Sequence, residues 1–212
     1  MTEDEARHWI RDQFGVSRET AIASFVDLVV TESAQQNLVS RTSLESIWFR
    51  HVVDSAQLVG LLPGPSAAKA TKGNGLWVDI GTGAGFPGMI VALLTDRPVM
   101  LVEPRRKRAD FLAAAVEQLS LGRRVDVQCR RVEQVAGAAA VISARAVAAL
   151  PELLAAAHHL NRKETIWLLP KGVNALEEVE AARRTWHGSF HVEQSITQPG
   201  SLVVIAMGVL RR

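Results

Sequence analysis

The stretch Asp79-Ile80-Gly81-Thr82-Gly83-Ala84-Gly85-Phe86-Pro87-Gly88 is the part of this chain best suited to grip a ligand. Gly81, Gly83 and Gly85 allow a tight turn and let backbone N–H groups approach a bound molecule, and a helix starting there adds the positive end of its dipole. A glycine-rich turn also arises merely to fit a strand against a helix, but that purpose needs a single glycine. The spacing narrows the ligand. A dinucleotide fingerprint, Gly-x-Gly-x-x-Gly, would place its third glycine on Phe86, whereas Gly-x-Gly-x-Gly is satisfied as it stands. A Walker loop would require a Gly-Lys-Ser/Thr ending that the stretch lacks. Elsewhere, the lone Cys129 forms neither an internal disulfide nor a multi-cysteine metal site, and the six histidines show no metal-ligand spacing, so no metal is expected.

Basic residues come in clusters: Arg105-Arg106-Lys107-Arg108, Arg123-Arg124, Arg130-Arg131, Arg162-Lys163 and Arg183-Arg184. Taken singly, each reads as a solvated face. The first differs because it follows Pro104 at a helix start, where cations oppose the helix dipole and cost stability. Phosphate contact would give that placement a use, with Arg145 and Lys171 on the same rim; plain exposure on a helix explains it equally well. The formal net charge of +2 permits a nucleic-acid partner without demanding one.

A ligand turn of this kind needs a strand before it and a helix after it. Leu76–Ile80, Val99–Val102, Val125–Val127, Ala140–Ile142 and Thr165–Leu169 are short apolar runs, as strands covered on both faces should be. The intervening segments read as helices, with Pro87 in a first turn, Gly122 as a C-cap, and Asn174 with Glu177 as a capping box. Alternating strands and helices predict a doubly wound parallel sheet. Phe190–Ile196, the turn Gln198-Pro199-Gly200 and Leu202–Met207 have no helix between them, which predicts an antiparallel hairpin completing a seven-stranded, mostly parallel sheet. The front of the chain is helical: Ile22, Phe25, Val26 and Val29 recur at helical spacing after Ser17, an expected N-cap, and Thr42-Ser43-Leu44-Glu45 has the form of a capping box. Residues 1–62 are thus an N-terminal helical cap, 63–75 a loop dense in turn residues, and 76–212 the ligand-binding α/β domain, all in one compact unit.

The bulk numbers agree with that plan. At 212 residues the chain suits one such domain, and with 48% apolar and 22% charged residues it is neither disordered nor fibrous. No apolar run approaches the ~18 residues that span a bilayer, and Glu3, Asp4 and Glu5 are unlike a signal peptide's basic start, so a cytoplasmic protein without membrane contact is expected.

Gly-x-Gly-x-Gly after a first strand resembles motif I of Rossmann-like, class I methyltransferases. In that superfamily an acid at the end of the second strand binds the cofactor's ribose hydroxyls, and Glu103 stands at the end of Val99–Val102; two carboxylate oxygens can accept from both hydroxyls. Methylases of exocyclic amines carry an Asn/Asp-Pro-Pro-aromatic motif after the fourth strand, where this chain reads Ser143-Ala144-Arg145-Ala146. Cytosine-C5 methylases need a nucleophilic cysteine in a Pro-Cys setting that Cys129 does not have. Acceptors that already hold a lone pair remain, among them a purine ring nitrogen such as guanine N7, which asks for orientation and electrostatics more than for a base.

Asn37-Leu38-Val39-Ser40, Arg50-His51-Val52-Val53-Asp54-Ser55, the glycine turn, Lys107-Arg108 with Phe111-Leu112, Arg131-Val132-Glu133, Ser143-Ala144-Arg145-Ala146 and Lys171-Gly172 occur in the order of one family's motifs. From about residue 35 to the C-terminus the sequence resembles the glucose-inhibited division protein B family, whose members methylate N7 of a guanine in the decoding-region loop of 16S ribosomal RNA. The resemblance implies S-adenosyl-L-methionine as cofactor, S-adenosyl-L-homocysteine as product, and 16S ribosomal RNA or the small ribosomal subunit as partner; the chain is expected to act as a monomer. Cofactor contacts are expected from the turn residues Asp79, Gly83 and Gly85 and from Glu103, and the resemblance adds Gly81, Phe86, Val132, Glu133 and Arg145. Arg50, His51 and Asp54 fall on the family's Arg-His…Asp-Ser signature, expected to close over the site from the helical front; Arg145 joins them as a positioning residue. His51 is open to three roles: general base, positioning group or helix-packing residue. Arg105, Arg106, Lys107, Arg108 and Lys171 are the RNA-binding candidates, and Trp48 and Phe86 the aromatics available to stack on a base. Ala138-Ala139 depart from the acidic residue that relatives often carry before the fourth strand. Two other functions fit the same residues: a methyltransferase acting on a small molecule or protein, and a non-catalytic RNA-binding protein with a vestigial cofactor site.

Overall fold

The computed structural model describes residues 1–62 and 75–212, so the loop expected at 63–75 lies, save for Gly75, outside the described residues. The helical front opens with α1 (Glu3–Phe14), started by a capping box in which Thr2 and Glu5 satisfy each other's backbone N–H groups. α2 (Val16–Ser33) begins not at Ser17 but at Gly15, whose φ of 90° turns the chain between the two helices; Ser17 sits inside the first turn. The next capping box also shifts. Ser40 caps α3 (Arg41–Leu44), its hydroxyl accepting from the Ser43 N–H at 3.2 Å, and Thr42 lies within the helix. Serine and threonine cap almost equally well, so residue type alone did not separate the two positions. A π-helical turn, Trp48–Val53, then runs directly into α4 (Asp54–Gly60). Glu3 fixes that turn from α1, its carboxylate accepting from the Trp48 and Phe49 N–H groups at 2.9 and 3.0 Å.

The remainder alternates as expected: β1 (Trp77–Ile80), α5 (Gly88–Leu94), β2 (Val99–Val102), α6 (Arg106–Gln118), β3 (Val125–Gln128), β4 (Val141–Ala144), α7 (Leu150–Ala157), β5 (Ile166–Lys171), α8 (Ala175–Arg183), β6 (Trp186–Gln194) and β7 (Leu202–Arg211). Three local expectations are corrected. Ser120, at φ 56°, takes the left-handed position after α6 that Gly122 was expected to fill. Asn174 is the N-cap of α8, but its side chain makes no capping bond. β6 starts at Trp186 rather than Phe190, because a bulge between His187 and Ser189 breaks the alternation that marks a strand in sequence.

The strands form one seven-stranded sheet in the order β3-β2-β1-β4-β5-β7-β6, with β1 to β5 parallel and β7 antiparallel to both of its neighbours. Strand alternation sorts side chains between two cores. Trp77, Val99, Leu101, Val141 and Leu168 pack with the N-terminal helices and α5 on one face; Val78, Ile80, Val102, Ile142 and Trp167 pack with α7 and α8 on the other. β1 and β4 are neighbours, and the chain leaves β1 for α5 on one face but β4 for α7 on the other, opening a crevice at the carboxyl ends of these strands, the usual ligand position in an open α/β sheet. Among the described residues, no helix is long and apolar enough to cross a membrane.

Candidate functional site

The turn after β1 is held from below. Asp79 is fully buried, and its carboxylate accepts from the Gly88 N–H at 2.8 Å and the Ser143 hydroxyl at 2.6 Å; Ser143 in turn accepts from Trp77 Nε1 at 2.8 Å. β1 and β4 are in register at Asp79 and Ser143, so this relay locks the turn to the adjacent strand. Burial pushes the Asp79 carboxyl up to about 6, against the opposing pull of its hydrogen bonds. A Cβ on Gly88 would come within 2.7 Å of the Asp79 carboxylate and collide with Leu101, so α5 can sit this close to β1 only through a glycine. Gly81, Gly83 and Gly85 all have positive φ. Gly85 faces Phe25 and Met89 in the core, so Asp79 and Gly85, expected among the cofactor contacts, lie behind the turn rather than on its open side.

Glu103, at the end of β2, is 3% exposed. Its Oε2 accepts from the Gly83 N–H at 3.0 Å and its Oε1 from the Arg105 N–H at 2.8 Å, which staples the glycine turn to the start of α6. Cavities open on both sides of this staple. One of about 610 Å³ is lined by Gly81, Val102, Pro104, Val132, Glu133 and Leu153. Another of about 400 Å³ is lined by Leu38, Gly81, Gly83, Phe86, Arg108 and Arg145. A third, of about 720 Å³, continues past Arg145 to Arg50, Asp54, Lys171 and Thr197. Gly81 borders the first two, and His51 and Arg145 border the last two, so the three form one crevice over the carboxyl ends of β1, β2 and β4.

Arg145 organises the wall between the second and third cavities. Its guanidinium donates to Asp54 Oδ2 at 3.0 Å, to the Arg50 carbonyl at 3.2 Å and to His51 Nδ1 at 2.9 Å, and it lies 5.7 Å from the Phe86 ring centre. A guanidinium can only donate, so Nδ1 of His51 is the acceptor and the ring proton sits on Nε2. That Nε2 is buried and has no hydrogen-bond partner among the described residues. Burial first, then the Arg145 and Arg50 cations, push the imidazole down to about 3, so it is neutral across the ordinary pH range. The ring stacks on Phe86 at 5.0 Å. Asp54 reaches further, its Oδ1 accepting from Gln57 at 2.9 Å and from the Thr197 hydroxyl at 3.1 Å, which ties the cap to the β6–β7 connection. Neither Gln57 nor Thr197 carried a signal in the sequence: the contact exists only because the hairpin folds back over the cap. Ala146, at φ 56°, is a non-glycine residue in left-handed conformation where β4 delivers Arg145 into the crevice.

The basic residues divide. Arg105, Arg106 and Lys107 are exposed at the start of α6, and Arg106 pairs with Asp110 on its own helix. Arg108 is half-buried and lines the cavity beside Gly83. Lys171 borders the largest cavity but is only 9% exposed, its ammonium donating to the Ala148 carbonyl at 2.7 Å and to Glu178 at 2.8 Å, so it buttresses the loop after β4 instead of standing free for phosphate. Trp48 and Phe86 are both buried, Trp48 beneath Arg7 and Phe86 against His51, and neither ring is free to stack on a base.

A family model described as rRNA small subunit methyltransferase G matches residues 18–201. The chain is 44% identical to the ribosomal RNA small subunit methyltransferase G of Novosphingobium aromaticivorans, covering 97% of this chain and 88% of that protein. It is 41% identical to the protein of the same name from Zymomonas mobilis, covering 97% and 94%. Among solved structures, a Geobacter sulfurreducens methyltransferase superposes with a TM-score of 0.57 at 14% identity, over 87% of this chain and 88% of that one. P. horikoshii TYW2, solved with MeSAdo, superposes at 0.56 and 15% identity over 76% of this chain and 62% of that one. At such identities the likeness is one of fold, a Rossmann-like methyltransferase sheet.

Proposed function

The chain belongs to the rRNA small subunit methyltransferase G family, and on that premise we propose that it methylates N7 of a guanine in 16S ribosomal RNA, using S-adenosyl-L-methionine and releasing S-adenosyl-L-homocysteine. The observation that carries the reading is the staple of Gly83 and Arg105 onto Glu103, with a cavity on either side. The residues suit the cofactor. Val102, Pro104, Val132 and Leu153 make an apolar slot for a flat base, with Glu133 at its mouth as an acceptor for an amino group. Glu103 holds each backbone N–H with one lone pair and keeps another per oxygen for ribose hydroxyls. Gly81 lines this slot at positive φ and packs closely under Val147, where an added Cβ would come within 2.6 Å, so the turn keeps this shape only with glycine there. When bound, the cofactor supplies an electrophilic methyl group on sulfur.

Guanine N7 presents a lone pair without giving up a proton, so the protein's task is orientation and charge. His51 fits that task and not a base's: its Nδ1 lone pair is taken by Arg145 and its Nε2 is buried, so neither ring nitrogen is open to take a substrate proton, and the ring instead packs Phe86 and holds Arg145 in place. Arg145, held by Asp54, His51 and the Arg50 carbonyl, is a fixed cation at the junction of the cofactor cavities and the larger one, where the guanine enters. The exposed Arg105, Arg106 and Lys107 beside it meet the RNA backbone. On this reading the protein is a cytoplasmic monomer acting on the small subunit's RNA. The test is transfer from labelled S-adenosyl-L-methionine to small subunits from cells lacking this protein, followed by chemical cleavage specific for 7-methylguanosine. A single new cleavage in 16S RNA is expected; no transfer to subunits or to deproteinised RNA, with cofactor binding intact, would return the small-molecule, protein and non-catalytic alternatives.

A further inference from the structure

The cavity of about 400 Å³ beside Gly83 contains two cations that differ in electrostatic standing. Arg145 is ion-paired with Asp54 at 3.0 Å, so its charge is compensated before any ligand arrives. Arg108 forms no ion pair with any described carboxylate. Its side-chain hydrogen bond is a long one, from Nη2 to the Asn37 carbonyl at 3.4 Å. The other terminal nitrogen, Nη1, lies over the glycine turn, 3.6 Å from where a Cβ on Gly83 would be. The backbone holds it there: the Glu103 staple fixes Arg105 against Gly83, and the Arg108 N–H bonds back to the Arg105 carbonyl at 3.0 Å. Its neighbours Arg105, Arg106 and Lys107 are exposed, while Arg108 is half-buried in the cavity wall. A cation half-removed from water that forms no ion pair with a described carboxylate is poised for an anionic ligand.

We propose that Arg108 binds the α-carboxylate of the cofactor's amino-acid end, and so belongs to cofactor recognition rather than to RNA binding. The proposal rests on the cofactor reading above. With the adenosyl half in the apolar slot beyond Gly81, the amino-acid half lies on the Gly83 side, and its carboxylate needs a partner once water is displaced. Arg108 supplies a planar donor pair not taken up by an ion pair, matching a carboxylate two bonds at a time.

Calorimetry with two ligands separates this role from the others. S-adenosyl-L-methionine and its decarboxylated analogue share the adenosyl group, the sulfonium and the amine, and differ in the carboxylate alone. Arg108→Ala should weaken S-adenosyl-L-methionine by about tenfold or more, equivalent to at least ~1.4 kcal/mol, and leave the decarboxylated analogue within about twofold. Arg108→Lys should recover part of the loss, because it restores the charge without the fork. Thermal melts of both variants check that the fold is retained. Equal weakening of both ligands overturns the proposal in favour of a structural role for Arg108. Unchanged affinity for both, with weaker binding of a 16S RNA fragment, overturns it in favour of a phosphate contact. Wild-type chain that binds neither ligand overturns the cofactor reading itself.

Discussion

Both carboxylate oxygens of Glu103 hold backbone N–H groups, so replacing it removes two acceptors as well as a charge. Glu103→Ala is expected to weaken S-adenosyl-L-methionine by about tenfold or more in calorimetry, since a charged acceptor contributes ~1.5–3 kcal/mol; unchanged affinity would remove Glu103 from the site. His51 makes a prediction in pH. Its folded-state value, about 3, lies below the ordinary 6.5, so below pH 6.5 the unfolded chain binds a proton that the folded chain refuses, and stability falls as pH drops towards 3. Between pH 7 and pH 5 this costs about 2 kcal/mol. Asp79 acts in the opposite sense: raised from 3.8 to about 6, its penalty grows as pH rises through that window. Comparing wild type with His51→Gln, in which Asp79 is common to both, isolates the histidine. Chemical denaturation at pH 7 and pH 5 should show a fall steeper by about 2 kcal/mol in wild type; parallel falls would place a charged His51 in the fold. At this scale Gly81 and Glu103 were legible because each follows directly on its own strand. The burial of Asp79 and the ion pair of Lys171 were not, because both depend on partners, Ser143 and Glu178, that only the folded sheet and α8 bring near.

The step from β1 into α5 is where sequence and packing agree most closely. Gly88 donates to Asp79 and has no room for a methyl group, the first atom of any side chain. Gly88→Ala therefore forces α5 away from β1; despite alanine's better helix propensity it should cost ~1–3 kcal/mol in chemical denaturation and weaken the cofactor as the turn shifts. A variant as stable as wild type would show that the backbone can relax around the added methyl. Elements covered on both faces, such as β1, β2 and β4, were readable because continuous apolar runs leave little alternative. β6 was not: its pattern reads largely exposed, and the bulge near Gly188 interrupts what alternation it has. Helix starts were misread by a residue or two where several small polar residues stand together, as at Ser40, Thr42 and Ser43, because any of them can cap and only the chain's path decides.

Across the molecule, Asp54 joins the three parts that surround the crevice: the cap through its own helix, β4 through Arg145, and the β6–β7 connection through Thr197. Asp54→Ala leaves a part-buried guanidinium without its counter-charge, and a loss of ~1–3 kcal/mol in thermal or chemical denaturation is expected. Turnover should fall further than cofactor affinity, because Arg145 faces the cavity of the incoming base; equal losses would place Asp54 in folding alone. Substrate binding is the property of the largest extent. The net charge is only +2, too small to hold RNA by bulk attraction, so the work falls to local clusters. Arg105, Arg106 and Lys107 form the exposed one nearest the crevice, and the exposed Arg106–Asp110 pair is of the kind that contributes little and exchanges readily for a phosphate. Each phosphate contact releases about 0.7–0.9 counterion, which sets the slope of log affinity against log salt. Arg106→Ala with Lys107→Ala should therefore flatten that slope for a 16S RNA fragment by about 1.4–1.8 and leave S-adenosyl-L-methionine binding unchanged. An unaltered slope would move the RNA path to another face, because the slope counts phosphate contacts and removing two residues that make them must lower it.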